Sequence, residues 1–386
     1  MTETRGAPSG SKIGTLRMAI QGIGVVGGFG CGTEALAAAL SAGRTETRPV
    51  SIPTIHETVE TEGFFADTAP LAEFVSKRAL RRLPHHTRMA LLGGTLALQD
   101  ADVEPPLDDR TAIVVASGYG STCNTFDFQG LSIEDDIRRF SPIQFSNSVH
   151  NAAGAHIAVV FRAHGPNISI NQLDLSLPAA LRTAGIWLAE GRADRVLVGG
   201  VDEFSRVMAY HRHRLIASGT ADPVPVGEGA AFFVLTGADG TPSPYGFLRN
   251  PETGAGRDAP TIPEGTVVFR NAYGFREAEE ASGLERDSAA GGKSPGDIPG
   301  NGTAFSRDLG DSDAIFTHLY GHLPVGMGFD IAAAAIGHRA GRIPDGKNPW
   351  PGETAGADGT PGRTPPVVCV RNGAAGGWGR VVVERP

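Results

Sequence analysis

Residues 167–191 read NISINQLDLSLPAALRTAGIWLAEG, and they decide the fold. NISINQ has the make-up of a short strand, and Ser176 to Gly191 that of a helix closed by glycine. On the N-terminal side, SNSVHNAAGAHIAVVFRAHG (146–165) reads as a buried helix of small residues, also closed by glycine. On the C-terminal side, ADRVLVGGVDE (193–203) reads as a buried strand. Helices and strands in close alternation predict an α/β layered fold.

The same rhythm runs outward in both directions. LRMAIQGIGVVGGFG (16–30) reads as a buried strand entering a glycine turn, followed by a helix over 33–42. A longer helix is expected over 76–101, with Leu83, Met89, Leu92 and Leu96 at helical spacing, and Asp109–Ser117 as a strand ending in the turn GYGS. In the C-terminal half, 227–237, 265–274 and 314–321 read as strands and 331–341 as a helix, with PVVCVRN and GRVVVERP as a final strand pair. Residues 276–312 and 343–365 are rich in Gly, Pro, Asp and Ser and are expected to be mobile loops. Residues 1–12 read as a disordered leader, leaving a first half over 13–237 and a second over 238–386.

The bulk numbers set limits. Hydrophobic residues at 40% and charged residues at 20% fit a globular protein with a sizeable core. A formal charge of −8 argues against general nucleic-acid binding, which needs a basic face. The three cysteines, Cys31, Cys123 and Cys369, form no CxxC pair, and no run approaches a membrane span or an apolar signal core. A cytoplasmic, soluble chain is expected. His85 with His86, and His211 with His213, have no partners at ligand spacing, so no metal is expected.

Gly22, Gly24 and Gly27 satisfy GxGxxG, the dinucleotide-binding pattern. The acidic residue that should close the next strand is missing from TRPVSIPTI (47–55), so these glycines read better as close packing against a helix. A more specific match covers the same residues. AIQGIGVVGGFGCGTEALAAALSAGR (19–44) resembles the opening of the β-ketoacyl synthases. KRALRRLPHHTRMALLGGTLALQDA (77–101) resembles the family's basic, then alanine-rich helix, and SPIQFSNSVHNAAGAHIAVVFRAHGPNISIN (141–171) the helix leading to its nucleophile strand. LAEGRADRVLVGGVDE (188–203), VGEGAAFFVLTG (226–237) and YGHLPVGMGFDIAAAAIGHRAGRIP (320–344) resemble later landmarks, in the family's order. The resemblance implies a thiolase-type, pseudo-duplicated, five-layer αβαβα fold without cofactor.

At the catalytic positions the chain departs from that pattern. Condensing enzymes present cysteine at the N-terminus of a buried helix, where the helix dipole favours the thiolate. The resemblance puts Asp174 there, and a mixed anhydride on a carboxylate is too labile to serve as the acyl intermediate. Asp174 reads instead as an N-cap, with Pro178 in the first turn; Ser176 is a substitute nucleophile of lower rank. His322 keeps the family's second histidine. The first falls at Tyr273, or at Asn301 in a rival register, and the family's lysine at Thr317. NGAAGGWG (372–379) stands where an aromatic gating loop is expected.

Concerted loss of this kind most resembles the chain length factors, silent partners of active ketosynthases in type II polyketide or related polyene systems. Membership implies a heterodimer, with an acyl carrier protein engaged mainly through the partner. NISINQ would supply the interface strand through Asn167, Ile168, Ser169, Ile170 and Asn171, and Tyr119, Phe140 and Phe145 would line the acyl tunnel. Lys77, Arg78, Arg81, Arg82 and Arg88 form a basic helical patch. The rival reading is a divergent acyltransferase or decarboxylase using His322 with Asp174 or Ser176.

Overall fold

A computed structural model describes residues 15–133, 141–240, 242–255, 262, 266–271, 313–343, 364–372 and 377–386. In chain order the strands are β1 (Arg17–Gly27), β2 (Gly30–Cys31), β3 (Arg48–Pro53), β4 (Thr58–Phe64), β5 (Thr111–Ala116), β6 (Asn167–Ile170) and β7 (Arg195–Asp202). They continue with β8 (Val226–Gly227), β9 (Gly229–Gly237), β10 (Phe247–Ala255), β11 (Val267–Asn271), β12 (Asp313–Ala314), β13 (Val367–Asn372) and β14 (Gly377–Glu384). The helices are α1 (Gly32–Ala42), α2 (Lys77–Leu80), α3 (His85–Asp100), α4 (Thr122–Ile133) and α5 (Pro142–Ser148). After them come α6 (Ala152–Phe161), α7 (Ser176–Ala189), α8 (Arg206–Ala217), α9 (Thr317–Tyr320) and α10 (Met327–Arg339).

Ten strands run in one hydrogen-bonded path, β12-β11-β13-β14-β10-β1-β9-β7-β5-β6. Its two halves repeat one topology. Numbered within its own half, each reads third, second, fourth, fifth, first. The second strand is parallel to its neighbours on both sides (β5 to β6 and β7; β11 to β12 and β13), and the last strand is antiparallel (β9 and β14). The two first strands join the halves, with Arg17–Ala19 of β1 antiparallel to Arg249–Phe247 of β10.

Helices α7 and α10 each touch both half-sheets and so lie between them, while α3 and α6 cover the outer face of the first. The central layer supplies Leu177, Leu181, Ala184, Phe329, Ile331 and Ala335 to the largest core cluster, all essentially without solvent contact. Each large side chain of that kind contributes about 1.5–3 kcal/mol of apolar burial. The outer face of the second half-sheet buries a separate patch of Val268, Val368, Val370, Trp378 and Val382. This is the layered thiolase-type architecture that the resemblance implies.

Some local expectations change. The helix expected over 76–101 is two helices, broken at Pro84, because proline lacks the donor a continuing helix needs and disfavours helical backbone before it. The expected helix 146–165 divides into α5 and α6, with Val149 extended between them. Half of the stretch 314–321, Thr317–Tyr320, is the helix α9, since a short apolar run fits either period. Gly22 and Gly24 lie inside β1 and not in a turn. A Cβ on Gly24 would stand 2.0 Å from Gly93 O of α3, so its role is close packing of strand on helix. Residues 1–12 and nearly all of 276–312 and 343–365 lie outside the described residues. No described helix is long and apolar enough to cross a membrane.

Candidate functional site

Strand β6 runs to the edge of the sheet and hands the chain to α7 through residues 171–175. Three sets of contacts hold this turn. Asn171 Nδ2 donates to Ser117 O at 2.8 Å. The Ser176 hydroxyl accepts from Gln172 N–H at 2.8 Å and lies 2.7 Å from Leu173 O and 3.0 Å from Ser117 O. The third contact is a charge pair. Asp174, 5% exposed, accepts a hydrogen bond from Arg371 Nη2, and Arg371 of β13 is wholly buried.

This geometry corrects the expected N-cap. The cap position of α7 is Leu175, with no side-chain bond to the first turn, and the Asp174 carboxylate turns away toward Arg371. Asp174 is thus half of a buried ion pair that ties the turn between β6 and α7 to β13 of the other half-sheet. Ser176 is buried with its hydroxyl engaged by backbone groups, which leaves it poorly placed to attack a thioester. The cysteines lie elsewhere: burial raises the Cys31 thiol to about 11 and Cys123 to about 12, and pushes Cys369 well up, so none is poised as a thiolate.

His322 is buried, at 6% exposure, and feels the charge of Arg371. Its backbone N–H donates to Pro225 O at 2.8 Å and its carbonyl accepts from Gly227 N–H at 3.0 Å. Burial, and then the charges of Arg371 and Arg212, hold its pKa well below the ordinary histidine value. The imidazole is therefore neutral at physiological pH. A cavity of about 20 Å³, lined by Tyr119, Asp202, Glu203, Arg212, His322 and Pro324, adjoins it. That is room for about one water and no acyl chain.

Three carboxylates that sequence reading passed over frame this region. Asp202, at the end of β7, accepts from Ser117 Oγ (2.8 Å), Gly118 N–H (3.0 Å), Tyr119 N–H (3.1 Å) and Val325 N–H (3.3 Å). It ties the turn after β5 to the turn after His322. Glu228 accepts from Ala66 N–H and Phe204 N–H, each at 3.0 Å, and meets His85 Nε2 at 2.8 Å. Glu203 accepts from Cys123 N–H at 2.7 Å, at the start of α4. The signal for the first and third was the acidic pair closing the apolar run VLVGGVDE. For Arg371 it was a lone cation in VVCVRN.

Burial raises Glu203 to about 7, against the opposing pull of the Cys123 N–H and His85. A carboxyl raised on folding contributes stability that is complete below its unfolded value and is lost as pH rises through the folded one. Burial lowers the His86, His156, His318 and His322 values, so their effects are complete by about pH 6.5. His85 is raised, through Glu228 and Glu203 against its own burial, and adds a loss in the same direction as Glu203. Stability is therefore expected to fall between about pH 6.5 and 8, and Glu203→Gln to flatten that fall in denaturation curves. An unchanged slope would contradict it.

The other expected residues are dispersed. Thr317 is buried at the start of α9, while Tyr273, Asn301 and Phe140 lie outside the described residues. Tyr119 lines the small cavity, but Phe145 is 57% exposed, 5.8 Å from the Phe128 ring. On the edge strand Asn167 and Ile168 are exposed, Ser169 and Ile170 half-buried, and Asn171 exposed just past its end. Lys77, Arg78, Arg81 and Arg82 are exposed, whereas Arg88 turns inward and donates to Leu80 O and Leu83 O. In HRHR (211–214) Arg212 is buried and donates to Val224 O and Asp222 O.

Over 246 residues the chain is 28% identical to a granaticin polyketide putative beta-ketoacyl synthase 1 of Streptomyces violaceoruber, and over 234 residues 25% identical to Nodulation protein E of Rhizobium sp. (strain N33). Each alignment covers 57% of this chain and 57–58% of the relative, so the chain matches less than two thirds of either. The solved ishigamide ketosynthase/chain length factor superposes with a TM-score of 0.63 over 95% of this chain and 99% of that one, at 20% identity. At that identity the likeness shows the fold. Residues 16–239 match the family model of the beta-ketoacyl synthase N-terminal domain, more than half of the sequence, and the chain belongs to the β-ketoacyl synthase family.

Proposed function

We propose that this chain is a chain-length-factor-like subunit, the non-catalytic member of a ketosynthase heterodimer in type II polyketide or polyene biosynthesis. The observation that carries the reading is the buried Asp174–Arg371 pair at the nucleophile position. A carboxylate committed to a guanidinium cannot accept an acyl group, and the neighbouring cavity of about 20 Å³ has no room for one. In this reading the partner supplies the cysteine and both histidines, and the chain acts by packing.

The edge strand β6 would pair with its counterpart, and Tyr119, Phe140 and Phe145 would shape the far end of the acyl tunnel. The two halves, 13–237 and 238–386, would carry these parts as one body. The exposed cations Lys77, Arg78, Arg81 and Arg82 suit an acidic acyl carrier protein. The test is co-expression with the ketosynthase encoded beside this chain. A stable one-to-one complex that elongates acyl chains is expected, with no turnover by this chain alone. A soluble homodimer that turns over acyl thioesters unaided would overturn the proposal.

A further inference from the structure

We propose that Leu173 is the fixed apolar contact through which this chain grips the partner ketosynthase, with the Arg371–Asp174 pair as the positioning element that holds it. This rests on the heterodimer reading above.

Leu173 has φ +49°, a left-handed conformation that a side chain with a Cβ adopts only under constraint. It gains little within its own chain, because 55% of it is exposed. A strained residue persists only where its surroundings over-determine it, and an observed outlier of this kind points to a use. The surroundings here are specific. Asn171 is tied to Ser117 O, Gln172 N–H to Ser176 Oγ, and Asp174 to Arg371, so every neighbour of Leu173 in the turn is anchored inward. Among the apolar side chains of the turn, Leu173 is the exposed one.

Its location names the occupant. Leu173 stands three residues beyond β6, whose outer edge has no strand against it among the described residues. Ile168 on that strand is 40% exposed, and Val159 on α6, which packs on β6, is 75% exposed. An open strand edge flanked by exposed apolar side chains fits a partner that extends the sheet. A ketosynthase of the same fold has a corresponding strand to offer.

The experiment measures the affinity of the purified chain for the ketosynthase encoded beside it, together with the melting temperature of the chain alone. Leu173→Gly removes the backbone strain and is expected to melt no lower than the unaltered chain, yet to bind roughly tenfold or more weakly. The paired substitution Asp174→Leu with Arg371→Met restores apolar packing without the directional bond. It is expected to keep a near-native melting temperature and lose roughly fivefold in affinity. Wild-type affinity for Leu173→Gly would overturn the contact, and wild-type affinity for the double variant would overturn the positioning role. An unaltered chain that binds no ketosynthase, or a homodimer that Leu173→Gly converts to monomer, would overturn the choice of partner.

Discussion

Arg371→Met is expected to destabilise the isolated chain by about 3–5 kcal/mol, because it leaves the Asp174 carboxylate buried without its counter-charge. Asp174→Ala should cost a similar amount from the other side. The double variant Asp174→Leu with Arg371→Met is expected to recover most of the loss, since a buried ion pair offsets little more than its own desolvation. Denaturant midpoints at constant m-value measure all three. Were Asp174 merely a helix cap, its removal would cost about 1 kcal/mol and Arg371→Met would be independent of it. A cost near that value, with additive singles, would remove the ion pair as a structural element. The same arithmetic governs functional tests: a loss of complex activity on Asp174→Ala follows from the loss of a buried counter-charge beside Arg371 and implies no proton transfer by the aspartate.

The architecture was legible because the landmark segments carry their burial in the sequence. Runs such as VLVGGV and AAFFVL have apolar length without polar interruption, and β7 and β9 form there as buried central strands. The hairpin β3–β4 is different. Thr58, Glu60, Glu62 and Ser51 face outward on the small three-stranded sheet β3-β4-β8, which leaves no apolar run to read. Helix α8 was obscured in the same way, since Arg212 is buried on its inner face and makes that face look polar. Helices α2 and α3 read as one because the apolar period continues across Pro84 while the backbone does not.

The site was legible as a place and not as an arrangement. The position of Asp174 in the turn between β6 and α7 follows from NISINQLDLSLPAAL, but its partner lies 197 residues away in the sequence. No local pattern joins a lone arginine in VVCVRN to a lone aspartate after NISINQ. Only the repeated half-sheet topology brings β13 against the start of α7, where Gly379, opposite Arg371 in the sheet, packs on Pro178. The cap reading failed for a related reason. Local hydrogen bonding favours an aspartate bonding its own helix, and here a buried guanidinium outcompetes backbone N–H groups.

Asp202→Ala is the second substitution with a large expected effect. The carboxylate receives donors from Ser117, Gly118, Tyr119 and Val325, all in or beside the region where Tyr119 and His322 meet. Removing it leaves several buried donors without an acceptor, at about 1–3 kcal/mol each before relaxation, so a total of about 3–4 kcal/mol is expected. Asp202→Asn keeps one oxygen for the three donors on Oδ1 and should cost less, about 1–2 kcal/mol. The pH dependence identifies the cause. Burial, outweighing these hydrogen bonds, raises Asp202 to about 6 from the ordinary 3.8. Its contribution is therefore complete at low pH and declines as pH rises through about 6. The stability gap between wild type and Asp202→Asn should narrow from about pH 4 to pH 7, because asparagine does not titrate. A gap that widens over the same range would mean that the buried group is a carboxylate with a depressed pKa. The Tyr119 turn would then be held by charge, and not by an acid kept partly neutral inside the fold.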